Sequence, residues 1–157
     1  MQLDKFTLKS QEAIQNTHNL AQNGGNQEIQ SEHLLKAILE QPEGVVVPVL
    51  QKMGITPSLI LKETNSLISE LPQVTGAGAN QSYASPQFRT LLEQAFKTAA
   101  NMQDEYVSQE HLFLTMLATQ NLKVASMLKR MGITSDKFLQ ALTSIRGNQR
   151  VTDPYPE

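Results

Sequence analysis

Two pairs of adjacent residues, Glu32-His33 and Glu110-His111, are the places in this chain where acid–base or metal chemistry would be sought first. A carboxylate beside an imidazole can move a proton, and each group alone can ligate a metal. The spacing argues against both uses. Neighbours on a helix point about 100° apart, whereas a helical zinc site needs two His four residues apart, as in His-Glu-x-x-His. Both pairs follow a polar residue and precede an apolar run, which puts them in a first helical turn. There a carboxylate gains roughly 0.3–1 kcal/mol from the helix dipole. A structural role is therefore expected for both pairs, with no catalytic and no metal residue. An enzyme acting through Glu110 and His111 is the reading this sets aside. No phosphate-cradling Gly-x-x-x-x-Gly-Lys and no Gly-x-Ser-x-Gly occurs. Cys is absent, which removes thiol nucleophiles, disulfides and Cys-based metal sites.

The pairs are themselves a clue to the elements that position them. Glu32-His33-Leu34 recurs as Glu110-His111-Leu112, and Met53-Gly54-Ile55-Thr56 recurs as Met131-Gly132-Ile133-Thr134, both at an offset of 78 residues. The same offset carries Ala21 to Ala99, Leu39 to Leu117, Val46 to Val124, Leu50 to Leu128 and Leu61 to Leu139 without a gap. The chain holds two copies of one unit of about 70 residues. The offset also shows where the copies differ: Asp104 aligns with Asn26, and Gln94 with Asn16.

Each copy reads as four helices. In the first, Thr7 is placed to cap a helix that ends at Gly24-Gly25, with Ala13, Ile14, Thr17, Leu20 and Ala21 on one face. A second helix starts near Ser31, buries Leu34, Leu35, Ile38 and Leu39, and stops at Pro42. A third covers about 45–53 and ends at Gly54. Thr56-Pro57 starts a fourth, which Pro72 ends. The second copy repeats the plan from Ser85-Pro86, with Ser108 and Thr134 as later caps. Met53, Met102, Met116, Met127 and Met131 fall on core stripes or at helix ends and read as packing. Val45-Val46-Val47 is β-prone but too short to argue for a strand. The expected fold is all-α, eight helices in two pseudo-twofold four-helix repeats that bury a shared face. Repeat one covers about 6–71, a Gly-containing linker 72–84, and repeat two about 85–147; residues 148–157 read as the start of a connector. Asp104, Glu105 and Glu110 are expected to form an acidic rim beside exposed apolar atoms.

With 13 basic and 15 acidic residues the formal net charge is −2, so no basic footprint for nucleic acid is present. No apolar run approaches the roughly 18 residues of a membrane helix, and no signal segment stands at the start. A cytoplasmic protein bound to neither nucleic acid nor membrane is expected.

Glu-His-Leu-Leu at 32–35, Glu-His-Leu-Phe at 110–113 and the doubled Met-Gly-Ile-Thr resemble the double Clp-type N-terminal repeat that precedes the ATPase modules of bacterial Clp chaperones. The opening Met-Gln-Leu-Asp-Lys-Phe-Thr, the Leu71-Pro72-Gln73-Val74 linker start and the tail from Ile145-Arg146-Gly147 to Val151-Thr152-Asp153 are similar to the ClpB-type disaggregase branch. That resemblance implies a substrate-binding domain, monomeric as a fragment, on a flexible tether above a hexameric AAA+ ring. Its clients would be unfolded or aggregated polypeptides. ATP and magnesium would belong to the parent, with no cofactor in this fragment, and the parent would work with an Hsp70-type chaperone system. The resemblance implies roles in substrate handling for Thr7, Asp104 and Glu110. It places an apolar groove at Gln94, Thr98 and His111, here more polar than in relatives, with contacts shifted to neighbours such as Phe96, Tyr106 and Val107. The alternative reading is an adaptor-docking domain of a protease-linked Clp ATPase.

Overall fold

Eight α-helices form among the described residues of the computed structural model, which are residues 3–41, 43–74, 81–147 and 149–154. They are α1 (Leu8–Asn23), α2 (Ser31–Leu39), α3 (Val46–Lys52), α4 (Pro57–Ser69), α5 (Pro86–Asn101), α6 (Gln109–Ala118), α7 (Lys123–Arg130) and α8 (Ser135–Arg146). The helices of the second copy begin within a residue of where the 78-residue offset puts them. Local chemistry explains the starts. The Thr7, Ser85 and Thr134 hydroxyls accept from the backbone N–H three residues on, at 3.2, 3.0 and 3.3 Å. Thr56 occupies the N-cap position without such a bond. It also explains the stops: Gly25, Gly54 and Gly132 take φ of +72°, +80° and +84°, the left-handed conformation that needs no Cβ. The expected stop at Pro42 and residues 75–80 of the linker lie outside the described residues.

The two copies interlock. Helix α3 of the first packs on α8 of the second, and α4 packs on α7, so the last two helices of each copy meet those of the other. Gln109, at the start of α6, reaches across to copy one: its Oε1 accepts from Val46 N at 3.0 Å and its amide donates to Gln41. One hydrophobic core runs through both, with Phe6, Leu34, Leu50, Leu91, Phe113 and Phe138 fully buried. Met116 and Met127 are buried, and Met53, Met102 and Met131 pack against this core.

Strand pairing also crosses between copies, where periodicity gave no strand. Glu28–Ile29 (β1) pairs in parallel with Tyr83–Ala84 (β2), and Phe6 bridges in parallel to Val107. Phe6 aligns with Ala84 and Ile29 with Val107 at the same offset, so the two pairings are one contact made twice. Segments two residues long carry too little alternation to be read from sequence.

Candidate functional site

The Glu-His pairs sit at the starts of α2 and α6, and the histidine is the working member of each. Gln30 N–H donates to His33 Nδ1 at 3.0 Å, and Ser108 N–H donates to His111 Nδ1 at 2.8 Å. Each ring thus stands in for the Glu or Gln of a capping box. With Nδ1 accepting, the ring proton is on Nε2 and donates outward. In copy one it goes to Asn26 Oδ1 at 3.0 Å. In copy two it goes to Asp104 Oδ2 at 2.6 Å.

Copy two adds charge to this frame. Arg146, from the last turn of α8, brings Nη2 to 2.5 Å from Asp104 Oδ2 and Nη1 to 3.9 Å from Glu110 Oε2. Glu110 also accepts from the Ser108 hydroxyl. The Asp104 and Arg146 side chains are 0% and 11% exposed, so this ion pair is almost dry. Burial, the largest single influence, opposes the Asp104 carboxylate. Arg146, the Val151 N–H and His111 together outweigh it and hold the carboxyl below its ordinary range. In copy one Asn26 and Ile68 stand where Asp104 and Arg146 do, and burial, helped by Lys36, pushes His33 down to about 4.

Ser108, His111 and Asp104 have the residue types of a hydrolytic triad, with Ser108 Oγ 3.1 Å from His111 Nδ1. Their bonding points elsewhere. The Nδ1 lone pair that would take the serine proton is occupied by the Ser108 N–H, and the hydroxyl is held by Glu110. All three side chains are buried. Copy one keeps the same geometry with Gln30 and Asn26 in place of Ser108 and Asp104, where no nucleophile exists. The arrangement positions the loop before α6 and fixes where α8 ends.

The sequence-predicted residues therefore separate into two groups. Thr7, Asp104, Glu110 and His111 are buried. Thr7 caps α1, and its N–H donates to Val107 O at 2.9 Å. Gln94, Thr98 and Tyr106 reach the surface. Thr98 Oγ1 lies 2.8 Å from Thr115 Oγ1, which donates to His111 O at 2.6 Å, so a chain of hydrogen bonds ties the exposed face of α5 to the buried histidine. Tyr106 is placed separately, its ring 5.9 Å from Lys5 Nζ. The expected acidic rim does not form as written: Asp104 and Glu110 turn inward to Arg146, and Glu105 alone of the three is exposed. Sequence reasoning missed Arg146. The offset aligns Arg146 with Ile68 and Asp104 with Asn26, two opposite charges gained in the same copy, and that joint departure was the available signal.

Val151 is the other unpredicted member. Its N–H donates to Asp104 Oδ1 at 2.9 Å, and its side chain is buried. Gln103, just before Asp104, takes φ +62° where copy one has Gly25, which turns the chain inward at that point.

The family described as the Clp repeat (R) N-terminal domain matches residues 5–131. ClpB of Bacillus cereus is 38% identical over 159 aligned positions, covering 100% of this chain and 18% of its own length. ClpB of Mycobacterium tuberculosis is 37% identical over 157 positions, covering 99% of this chain and again 18% of its own. The chain thus spans under a fifth of the length of these relatives. Among solved structures, the Hsp104 N-terminal domain from Candida albicans superimposes with a TM-score of 0.81 at 22% identity, covering 96% of this chain and 97% of that one. A ClpV N-domain in complex with a VipB peptide gives a TM-score of 0.71 at 21% identity, with 94% and 91% covered. Among the described residues no helix is long and apolar enough to cross a membrane, and no cluster of three His, Asp or Glu could hold a metal ion.

Proposed function

The chain belongs to the Clp repeat N-terminal domain family, and on that premise we propose that it is the client-capturing module of a ClpB-type, ATP-dependent disaggregase. Residues 148–157 would begin its connector to the ATPase module. ATP, magnesium and hydrolysis belong to the hexameric ring of the parent, as does any cooperation with an Hsp70-type system in the cytoplasm. This chain binds aggregated or unfolded polypeptides and presents them to the ring. The observation that carries the reading is similarity to ClpB chaperones along the whole chain.

Physical chemistry favours a weak, broad-specificity contact. Unfolded clients expose apolar side chains, and burial is worth roughly 25 cal/mol per Å². A client has to be passed on, so only a modest surplus over the entropy of association is useful. The exposed Gln94, with half-buried Phe96, Thr98 and Tyr106, offers apolar atoms beside groups that can hydrogen-bond a client backbone. Thr7, Asp104, Glu110 and His111 serve this surface from beneath, by fixing the backbone that carries it. Exposed Glu105 beside Tyr106 favours clients with Lys or Arg near apolar residues.

A second reading, docking of a segment from a folded adaptor, draws support from the ClpV N-domain of the same fold that carries a VipB peptide. Titrating the isotopically labelled chain with reduced, unfolded casein separates the two. The capture reading expects saturable amide shifts at Gln94, Thr98 and Tyr106 at micromolar or weaker affinity. Silence in copy two, with tight binding of a folded adaptor, would hand the surface to the second reading.

A further inference from the structure

After α8 the chain does not leave the domain directly. Residues 149–154 return across the loop before α6 and the start of α1. Val151 N–H donates to Asp104 Oδ1 at 2.9 Å, and Val151 C=O accepts from Glu105 N–H at 2.7 Å and from Tyr106 N–H at 3.3 Å. Pro154 C=O accepts from Leu8 N–H at 3.0 Å. One side chain, Val151, is buried, at 3% exposure, while Gln149, Arg150, Thr152 and Asp153 stay exposed.

This is how a groove holds an extended peptide: backbone hydrogen bonds for attachment and one pocket for a side chain. We propose that the slot formed by Asp104, Glu105, Tyr106 and Leu8 is an extended-peptide site, occupied in this structure by the chain's own tail and open to competition by an extended client segment bearing a β-branched apolar residue. The inference rests on the capture reading and gives it a location. Three observations carry it. First, four hydrogen bonds from the domain engage the tail's backbone, and the Val151 side chain is buried. Any unfolded chain offers those features.

Second, Asp104 is held from behind by Arg146 and His111, so its Oδ1 remains aimed at the slot whether or not the tail is there. Third, copy one makes a comparable return through different bonds, which marks the slot as a feature of the repeat. There Asn26 Nδ2 donates to Pro72 O at 3.1 Å, and Val74 N–H donates to Gly25 O at 2.8 Å. That segment lies between α4 and β2. Leu8 adds a donor that the copy-one return lacks, since Pro86 of copy two stands at the matching position and has no N–H.

The test uses the full 157-residue chain, unmodified and with Val151→Asp, which puts a charge into the pocket and frees the slot. The probe is the capped hexapeptide Gln-Arg-Val-Thr-Asp-Pro, copied from the tail. Saturable shifts at the Leu8, Glu105 and Tyr106 amides of the variant are expected, with binding to the unmodified chain about tenfold weaker, because an occupied slot taxes apparent affinity by its open fraction. Absence of those shifts in a folded variant overturns the site. Should Val151→Asp unfold, amide exchange on the unmodified chain decides. Leu8, Glu105 and Tyr106 should exchange at least about a hundredfold faster than the core of α6, through lifting of the tail. Exchange at the α6 rate means the tail does not lift, and the proposal falls. Casein tells the site from the wider reading. About tenfold tighter binding to the variant, with shifts at the same amides, supports the slot. Equal binding without those shifts removes clients from the slot and leaves capture elsewhere intact. Casein binding to neither protein sinks the capture reading, and the hexapeptide then judges the slot by itself.

Discussion

The buried ion pair of copy two can be erased by writing copy one in its place, and the result is a stringent check on the site. The two positions are Asp104, matched by Asn26, and Arg146, matched by Ile68. Arg146→Ile alone strands the Asp104 carboxylate, 0% exposed, without its countercharge. Breaking a buried pair from one side costs about 3–5 kcal/mol. The lower end is expected, because His111 and the Val151 N–H still donate to that carboxylate. Asp104→Asn alone keeps an acceptor for His111 but leaves Arg146 with only Glu110, at 3.9 Å, and should cost about 1–3 kcal/mol. The double substitution installs the neutral pair that copy one already uses and should cost clearly less than the sum, with a coupling of about 2 kcal/mol or more. Urea unfolding followed by circular dichroism reads this directly. With a slope of about 2 kcal/mol per molar, Arg146→Ile lowers the midpoint by about 1.5 M, and the double variant recovers much of it. Acid gives an independent readout. The Asp104 carboxyl titrates lower folded than unfolded, so its contribution is complete above the unfolded value near 4 and disappears as pH falls through the folded value. The double variant should lack that acid-sensitive contribution. Costs that add within about 0.5 kcal/mol would refute the claim that the two charges form one unit.

Three further outcomes follow from the same geometry. His33 titrates near 4 when folded and near 6.5 when unfolded, so the unfolded state takes the proton first, and stability should drop by about 3 kcal/mol between pH 7 and 4; an imidazole titration by NMR with a midpoint near 6.5 would contradict this. Gly44→Ala would set a Cβ 2.2 Å from the Gln109 amide nitrogen, and displacing that doubly bonded side chain should destabilise by about 1–3 kcal/mol, visible as a lower melting temperature; an unchanged melting temperature would show that Gln109 yields freely. Tyr106→Ala should weaken casein binding severalfold with little change in melting temperature, since the ring is half-exposed and its backbone holds the loop; unaltered binding measured by fluorescence anisotropy would remove Tyr106 from the capture surface.

What the sequence determined by itself was the repeat and its punctuation. An exact internal offset, Thr and Ser caps, Gly stops and 3.6-residue stripes are local or periodic signals, and each is readable without knowing what packs on what. Those signals yielded eight helices in two copies and identified the histidines as first-turn residues. Tertiary structure alone decided the rest, because it depends on which segments meet. Pairing of Phe6 with Val107 and of β1 with β2 joins stretches too short for any alternation to show. The inward turn of Asp104 and Glu110 required a guanidinium from α8, distant in sequence, to make burial of two carboxylates tolerable; without Arg146 they belong on the rim where composition places acidic residues. The return of residues 149–154 was invisible for the same reason. A single valine and four backbone hydrogen bonds leave no periodic trace, and only the folded surface, where copy two meets Leu8 of copy one, supplies the donors and the acceptor that hold it.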